Sequence, residues 1–505
     1  MIRLLAVAAA VASAWSEPHT LSDTARALDP ELAVNSAGAA LAVWDSETGP
    51  DCAQSPASLT CIHTVKVAAR ASSTSAWEWP RSIAQPGVGA APRVAVNDAG
   101  RAAVIWVHDI GRDRVLQASY RTAPTEAFPN PNDLSAAVLE VRSHRVALDA
   151  AGNAVVAWAE RHDETFEVAA EMRSAASGTW GAPVVLSAGP VAVGPSLAVT
   201  PDGDAYVAWI EGVDVKVAHA DLARGVWDAP LTLSRAGGYL AGDVLVTANP
   251  RGDVVASWWW LDRPRGQSIV QAAYKPADRS WRAADDVGEG TGADVVLAQD
   301  GSAVAAWSDS NGVPRAATRP VGGPWSRPER IGAAASEMRV AVDARGDAVA
   351  VWREVADLMA ARRPAGGAWQ PVERLSGGEP TSLGVALDSA GNAVATWNVH
   401  SGDSIPVLTS DLGAAWEPTL MNRRRPSVRG SARIGRTVRC DRGEWTGTVP
   451  IRYAYRWLRD GRLRARGSGY RIRTSDLGRR LSCRVTATNA AGTRSATSSA
   501  VRVRR

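Results

Sequence analysis

Lysine is nearly missing from this 505-residue chain, found only at Lys66, Lys216 and Lys275, and phenylalanine occurs only twice. Arginine carries almost all the positive charge, while alanine, glycine and valine dominate the rest, a bias that the codons of a GC-rich genome explain before any adaptation does. Past the N-terminus no apolar run reaches the roughly 18 residues of a membrane-crossing helix, so no membrane span is expected. The four cysteines show no C-x-x-C spacing and no histidine at ligand distance, which argues against zinc. Helical periodicity is absent as well, and with valine, tryptophan and glycine abundant this excludes helical repeats. No motif calls for a cofactor, a metal or a specific nucleic acid, and the chain is expected to be a monomer.

What is present is a repeat. Eight segments share the interval Gly-x5-Trp: Gly38/Trp44, Gly100/Trp106, Gly152/Trp158, Gly203/Trp209, Gly252/Trp258, Gly301/Trp307, Gly346/Trp352 and Gly391/Trp397. Each reads as an apolar run, a tight turn ending in glycine and a second apolar run closed by tryptophan, which is a β-hairpin. The unit is clearest from Met338 to Ser376, with strands over Met338–Val342, Ala348–Trp352 and Leu358–Arg362, a polar loop over Arg353–Asp357, and a fourth strand through Pro371–Leu375. Four antiparallel strands recurring every 45–62 residues predict propeller blades. Eight hairpins point to eight blades, or seven if one unit is irregular. Trp15 matches the end of a fourth strand without its own hairpin, so an N-terminal strand is expected to close the ring on the last blade.

The turn Arg173-Ser174-Ala175-Ala176-Ser177-Gly178-Thr179-Trp180 and the Pro183-containing strand after it resemble a degenerate Asp-box of sialidase-like propellers, and similar pieces end at Trp227, Trp325, Trp369 and Trp416. The hairpin Val199–Trp209 is similar to NHL-type repeats. Both resemblances span residues 15–421 and imply a β-propeller.

Met1–Ala14 carries one positive charge, an apolar stretch and a small-residue Ala12-Ser13-Ala14 end, as secretory signal peptides do. Behind such a signal, cysteines in two local pairs, Cys52 with Cys61 and Cys440 with Cys483, read as two disulfides of a secreted or cell-surface protein. From Asn422 onward 23 arginines face four acids, a net +19, whereas residues 1–421 hold 33 basic and 48 acidic residues, a net −15. A basic linker at 422–426 therefore separates the propeller, 15–421, from a second domain, 427–505. Its progression Cys440, Trp457, Cys483 resembles an immunoglobulin-like β-sandwich of bacterial surface proteins, although Leu481 stands where the family carries a tyrosine.

The resemblance to sialidases implies a functional face at the loops between second and third strands. Candidate binding residues there are His108, Asp109, Glu160, His162, Asp163, Glu354 and His400, together with Trp259 and Trp260, which extend beyond Trp258 beside Asp262 as a sugar-stacking platform. The arginine cluster, Tyr/Glu pair and acid of a sialidase are not assembled, so no catalytic residues are assigned. The expected function is a non-enzymatic binding protein, the propeller recognising a glycan or surface protein and the arginine-rich domain attaching to an anionic envelope polymer. A degenerate sialidase-like glycoside hydrolase is the alternative.

Overall fold

The computed structural model describes residues 15–49, 52, 61–84, 88–189, 191–235, 239–262, 266–413, 421–446, 451–489 and 492–505. The proposed signal peptide, Met1–Ala14, lies outside them. The chain divides into two compact units at residue 414.

The first unit is an eight-bladed β-propeller of antiparallel sheets. Numbered in chain order, the blades begin with innermost strands at Arg26–Val34, Val88–Val96, Glu140–Leu148, Ala192–Val199, Tyr239–Ala248, Thr291–Leu297, Met338–Val342 and Pro380–Leu387. Each innermost strand lies against the next and the eighth against the first, so the ring is closed. Blade 3 is representative: Glu140–Leu148 pairs with Ala154–His162, that with Thr165–Arg173, and that with Val184–Val185. Blade 8 takes its outermost strand from the other end of the chain, His19–Thr20 pairing with Leu408 and Thr409, and Ser16 N–H donates to Asp411 O at 2.8 Å. Closure between chain ends covers part of the edge of Val407–Leu412 and ties the ring shut.

Two turn chemistries recur among the blades. Between the first two strands of six blades, an Asx residue three before the repeat glycine accepts the backbone N–H four residues on, as in Asn153 N to Asp149 Oδ1 at 2.7 Å and Asp347 N to Asp343 Oδ1 at 2.9 Å, while Thr200 Oγ1 accepts Asp204 N at 3.0 Å in blade 4 and blade 6 has Ala298 there. These turns also join neighbouring blades: Asn97 Nδ2 donates to Asp149 O at 2.9 Å, and Ser389 N of blade 8 donates to Ser36 O of blade 1 at 3.0 Å. The two Arg-Gly-Asp sequences belong to this belt, Arg251 bonding Asp300 O at 2.7 Å and Arg345 bonding Ala390 O at 2.8 Å. Gly152 has φ 91°, and a Cβ there would meet Tyr120 Oη at 2.9 Å.

At the other end, the polar loops expected after each tryptophan are two-residue hairpins in blades 2, 3, 4 and 7. In blade 7 the second strand runs on to Glu354 and the third begins at Asp357, leaving two turn residues, and in blade 3 only residues 163 and 164 intervene. The first turn residue takes positive φ, 50° at Asp163 and 56° at Val355, as primed hairpin turns require.

All eight repeat tryptophans are at most 1% exposed, and they fill the seams between blades otherwise built from alanine and valine. Burial of such a ring is worth about 4–6 kcal/mol at most. Three indoles donate to an acid two residues later: Trp158 to Glu160 at 2.7 Å, Trp209 to Glu211 at 3.0 Å and Trp352 to Glu354 at 3.5 Å.

The second unit is also β. One sheet joins Ser427–Arg429, Thr437–Asp441 and Gly469–Arg471, and another orders Arg462–Arg466, Arg452–Arg459, Arg480–Asn489 and Gly492–Thr497, with Val501–Arg502 also on Arg480–Asn489. The Cys440–Cys483 disulfide ties one sheet to the other, beside Trp457, which is fully buried with its ring 5.7 Å from that of Tyr470. Asp476, also fully buried, accepts from Tyr470 Oη at 2.7 Å and Arg459 Nη1 at 3.0 Å. The stretch expected as a linker carries structure of its own, since Met421–Arg424 pairs with Glu444–Thr446.

Candidate functional site

The ten candidate residues lie near one end of the second and third strands, spread over blades 2, 3, 5, 7 and 8. Two of them meet directly, His162 Nε2 lying 3.1 Å from Glu160 Oε1. Glu160 is only 9% exposed and already serves Trp158, and Glu354 serves Trp352 likewise, so both carboxylates answer a buried indole first. Asp109 pairs with Arg114 at 3.1 Å across its own hairpin, beside a half-buried His108. Asp163 is an exposed turn residue and His400 is exposed at the end of a strand.

Trp259 and Trp260 do not form a common platform. They are consecutive in the strand Val254–Asp262, and alternation sends them to opposite faces of blade 5. Trp260 packs with Trp258 against the hydrophobic cluster shared with blade 4, whereas Trp259 lies over Gly242, where a Cβ would come within 2.6 Å of the indole. Asp262 is 9% exposed.

A recess of about 250 Å³ opens instead at the outer rim between blades 3 and 4. The Asp-box-like turn of blade 3 supplies Arg173, Ser177, Thr179 and Trp180, and Trp227 from the outermost strand of blade 4 forms another wall. Tyr120 of blade 2 holds the Arg173 guanidinium 3.7 Å above its ring, and the half-buried site lowers the Arg173 pKa. Ser177 and Thr179 hydroxyls are 2.8 Å apart and exposed. Both indoles bury one side in the blade seams, Trp180 against the blade 2–3 cluster and Trp227 against the blade 3–4 cluster. The recess thus offers two aromatic surfaces, a fixed cation and rim hydroxyls, a set that stacks on apolar ring faces while hydrogen-bonding hydroxyl or carbonyl groups. The sequence signal for it was the Gly-Thr-Trp turn itself, which reads as architecture until the Trp227 wall is seen beside it.

Glu47, Cys61 and His63 bring possible ligand atoms within 4.8 Å of one another, but each is committed. Cys61 is bonded to Cys52, Glu47 pairs with Arg26 at 2.6 Å, and His63 pairs with Asp45 at 2.7 Å. Burial raises the Asp45 carboxyl, and His63 opposes that shift. The two disulfides are compatible with an oxidising compartment, and among the described residues no helix is long and apolar enough to cross a membrane.

No protein-family model matches the sequence, and no curated protein does. Among solved structures, the chain is similar to the BP39L lectin from Burkholderia pseudomallei, at 15% identity over 70% of this chain and 100% of that one, with a TM-score of 0.48. The polysaccharide lyase Uly1 matches at 10% identity over 79% of this chain and 99% of that one, TM-score 0.44. A Trypanosoma rangeli sialidase matches at 10% identity over 56% of this chain and 55% of that one, TM-score 0.35. The propeller assignment rests on its own strand pairing rather than on these likenesses.

Proposed function

We propose that this chain is an exported, non-enzymatic carbohydrate-binding protein whose propeller holds a glycan in the recess between blades 3 and 4. The observation that carries the reading is the pairing of Trp180 and Trp227 with Arg173, Ser177 and Thr179 around one open cavity of glycan-residue size. An indole face desolvates the C–H surface of a pyranose, and the guanidinium and hydroxyls fix its orientation.

The second unit, read as an immunoglobulin-like sandwich, serves attachment. Across its larger sheet Arg466, Arg456 and Arg484 stand opposite one another on three adjacent strands, all exposed. Like charges in register repel unless an anion bridges them. With a net charge of +19 from Asn422 onward, that row supports docking on an anionic envelope polymer.

The test is a glycan array probed with the full chain and its Trp227→Ala variant, read beside a whole-envelope pull-down at two salt concentrations. Glycan binding weakened at least tenfold by Trp227→Ala, and envelope binding lost at high salt, are expected. Array binding unaffected by Trp227→Ala would remove the recess from the reading, and release of reducing sugar would turn it toward a hydrolase.

A further inference from the structure

The two sheets of the second unit end on the same side. Arg462–Arg466 closes the order of the larger sheet and Gly469–Arg471 that of the smaller, with residues 467 and 468 between them. Among the described residues, no strand pairs with the far side of Gly469–Arg471. Its near side is bonded at alternate residues: Cys440 N–H donates to Ser468 O at 2.7 Å and Ile472 N–H to Arg436 O at 2.9 Å, with Val438 opposite Tyr470 between them. By that alternation the backbone N–H and C=O groups of Gly469 and Arg471 face outward, and both residues are exposed.

A cleft of about 460 Å³ opens where these edge strands part. Ile434, Ala465, Tyr470 and Ile472 line it and belong to, or pack against, the hydrophobic cluster around Trp457, so its floor is apolar. Its lips are basic. Arg471 and Arg473 line one side, and Arg462, Arg464 and Arg466 lie along the other edge strand, where Arg464 keeps a buried Nε–H without a hydrogen-bond partner. The four acids from Asn422 onward all pair with other arginines: Asp441 with Arg429 at 3.0 Å, Glu444 with Arg424 at 4.0 Å, Asp460 with Arg479 at 3.5 Å and Asp476 with Arg459 at 3.0 Å. No carboxylate of the described residues lies within 4.0 Å of a lip arginine.

We propose that this edge takes an extended acidic peptide of a partner protein as an added strand. The peptide backbone pairs with the outward N–H and C=O groups of Gly469 and Arg471, an apolar side chain settles over Tyr470 and Ile472, and carboxylates meet the arginines of both lips. Gly469 has no side chain to hold a second backbone away. A second copy of this chain is the poorer occupant, because pairing the same edge with itself sets arginine against arginine. The inference goes beyond envelope attachment: only Arg466 belongs both to these lips and to the row across the larger sheet, so either role can fail without the other.

The experiment is fluorescence anisotropy of a fluorescein-labelled peptide of four Glu-Val repeats, titrated with the full chain. A second probe is the same peptide methylated at every backbone nitrogen, which keeps the charge and cannot pair as a strand. The protein arms are wild type, the double variant Arg471→Ser with Arg473→Ser, at two exposed positions, and Arg456→Met on the face of the larger sheet. Wild type should bind the first probe saturably, methylation and the double variant should each weaken binding at least tenfold, and Arg456→Met should leave it unchanged. No saturable binding, or equal affinity for both probes, would overturn the proposal, the latter reducing the edge to unspecific charge attraction. A loss with Arg456→Met as large as with the double variant would overturn it too, by placing the peptide on the sheet face.

Discussion

Glu171 is the residue whose replacement has the most defined consequence. It sits on the third strand of blade 3 opposite Val156, where the other blades carry alanine or serine, such as Ala68, Ser119, Ala218 and Ser410. It is 3% exposed, its Oε2 has no hydrogen-bond partner, and burial raises its pKa to about 7. Against an ordinary value of 4.5, the folded state holds a proton that the unfolded state has released. Stability must then fall as pH rises from about 4.5 to about 7 and stay level above that, the reverse of a salt-bridged carboxylate. Each tenfold change in proton affinity corresponds to about 1.4 kcal/mol, so the full cost is up to about 3 kcal/mol. Glu171→Gln keeps the shape and removes the titration. Urea unfolding at pH 5, 6.5 and 8, followed by tryptophan fluorescence, should show the variant gaining on wild type by about 2–3 kcal/mol between the first and last pH. Equal pH dependence in the two proteins would refute the reasoning.

Other outcomes follow from the same contacts. Glu160→Ala strands the buried Trp158 N–H and should cost about 1–3 kcal/mol in unfolding free energy while leaving glycan binding unchanged; a binding loss without a stability loss would restore Glu160 as a ligand residue. Gly152→Ala forces a side chain into a φ of 91° against Tyr120 and should cost about 1–3 kcal/mol by thermal unfolding, whereas the exposed turn position Gly225 should tolerate alanine with less loss. Replacing both Cys440 and Cys483 by alanine opens a link spanning 43 residues and should lower the stability of the second unit by about 4 kcal/mol in denaturant titration, leaving the propeller transition in place.

Much of the architecture is legible because it is periodic. The Gly-x5-Trp interval encodes a positive-φ turn and a buried indole at fixed separation, and repetition separates that signal from chance. The Trp15 segment, which has no hairpin of its own in the sequence, pointed to closure, and His19–Thr20 with Trp15 does lie along the last strand of blade 8. The candidate site was less legible, because polarity alone does not say whether an acid faces solvent or an indole: Glu160 and Glu354 read as loop residues, yet one strand runs past Glu160 to His162 and another extends to Glu354 itself. Trp259 and Trp260 look like a pair in sequence, and strand alternation parts them. The recess joins residues from two blades, so it exists only once blades 3 and 4 pack side by side.

Binding at the recess is tested most directly by a crystal structure of the full chain with the glycan selected on the array. The account predicts a sugar ring stacked between Trp180 and Trp227 and hydrogen-bonded to Arg173. A glycan bound elsewhere on the propeller, with that recess holding only water, would contradict it.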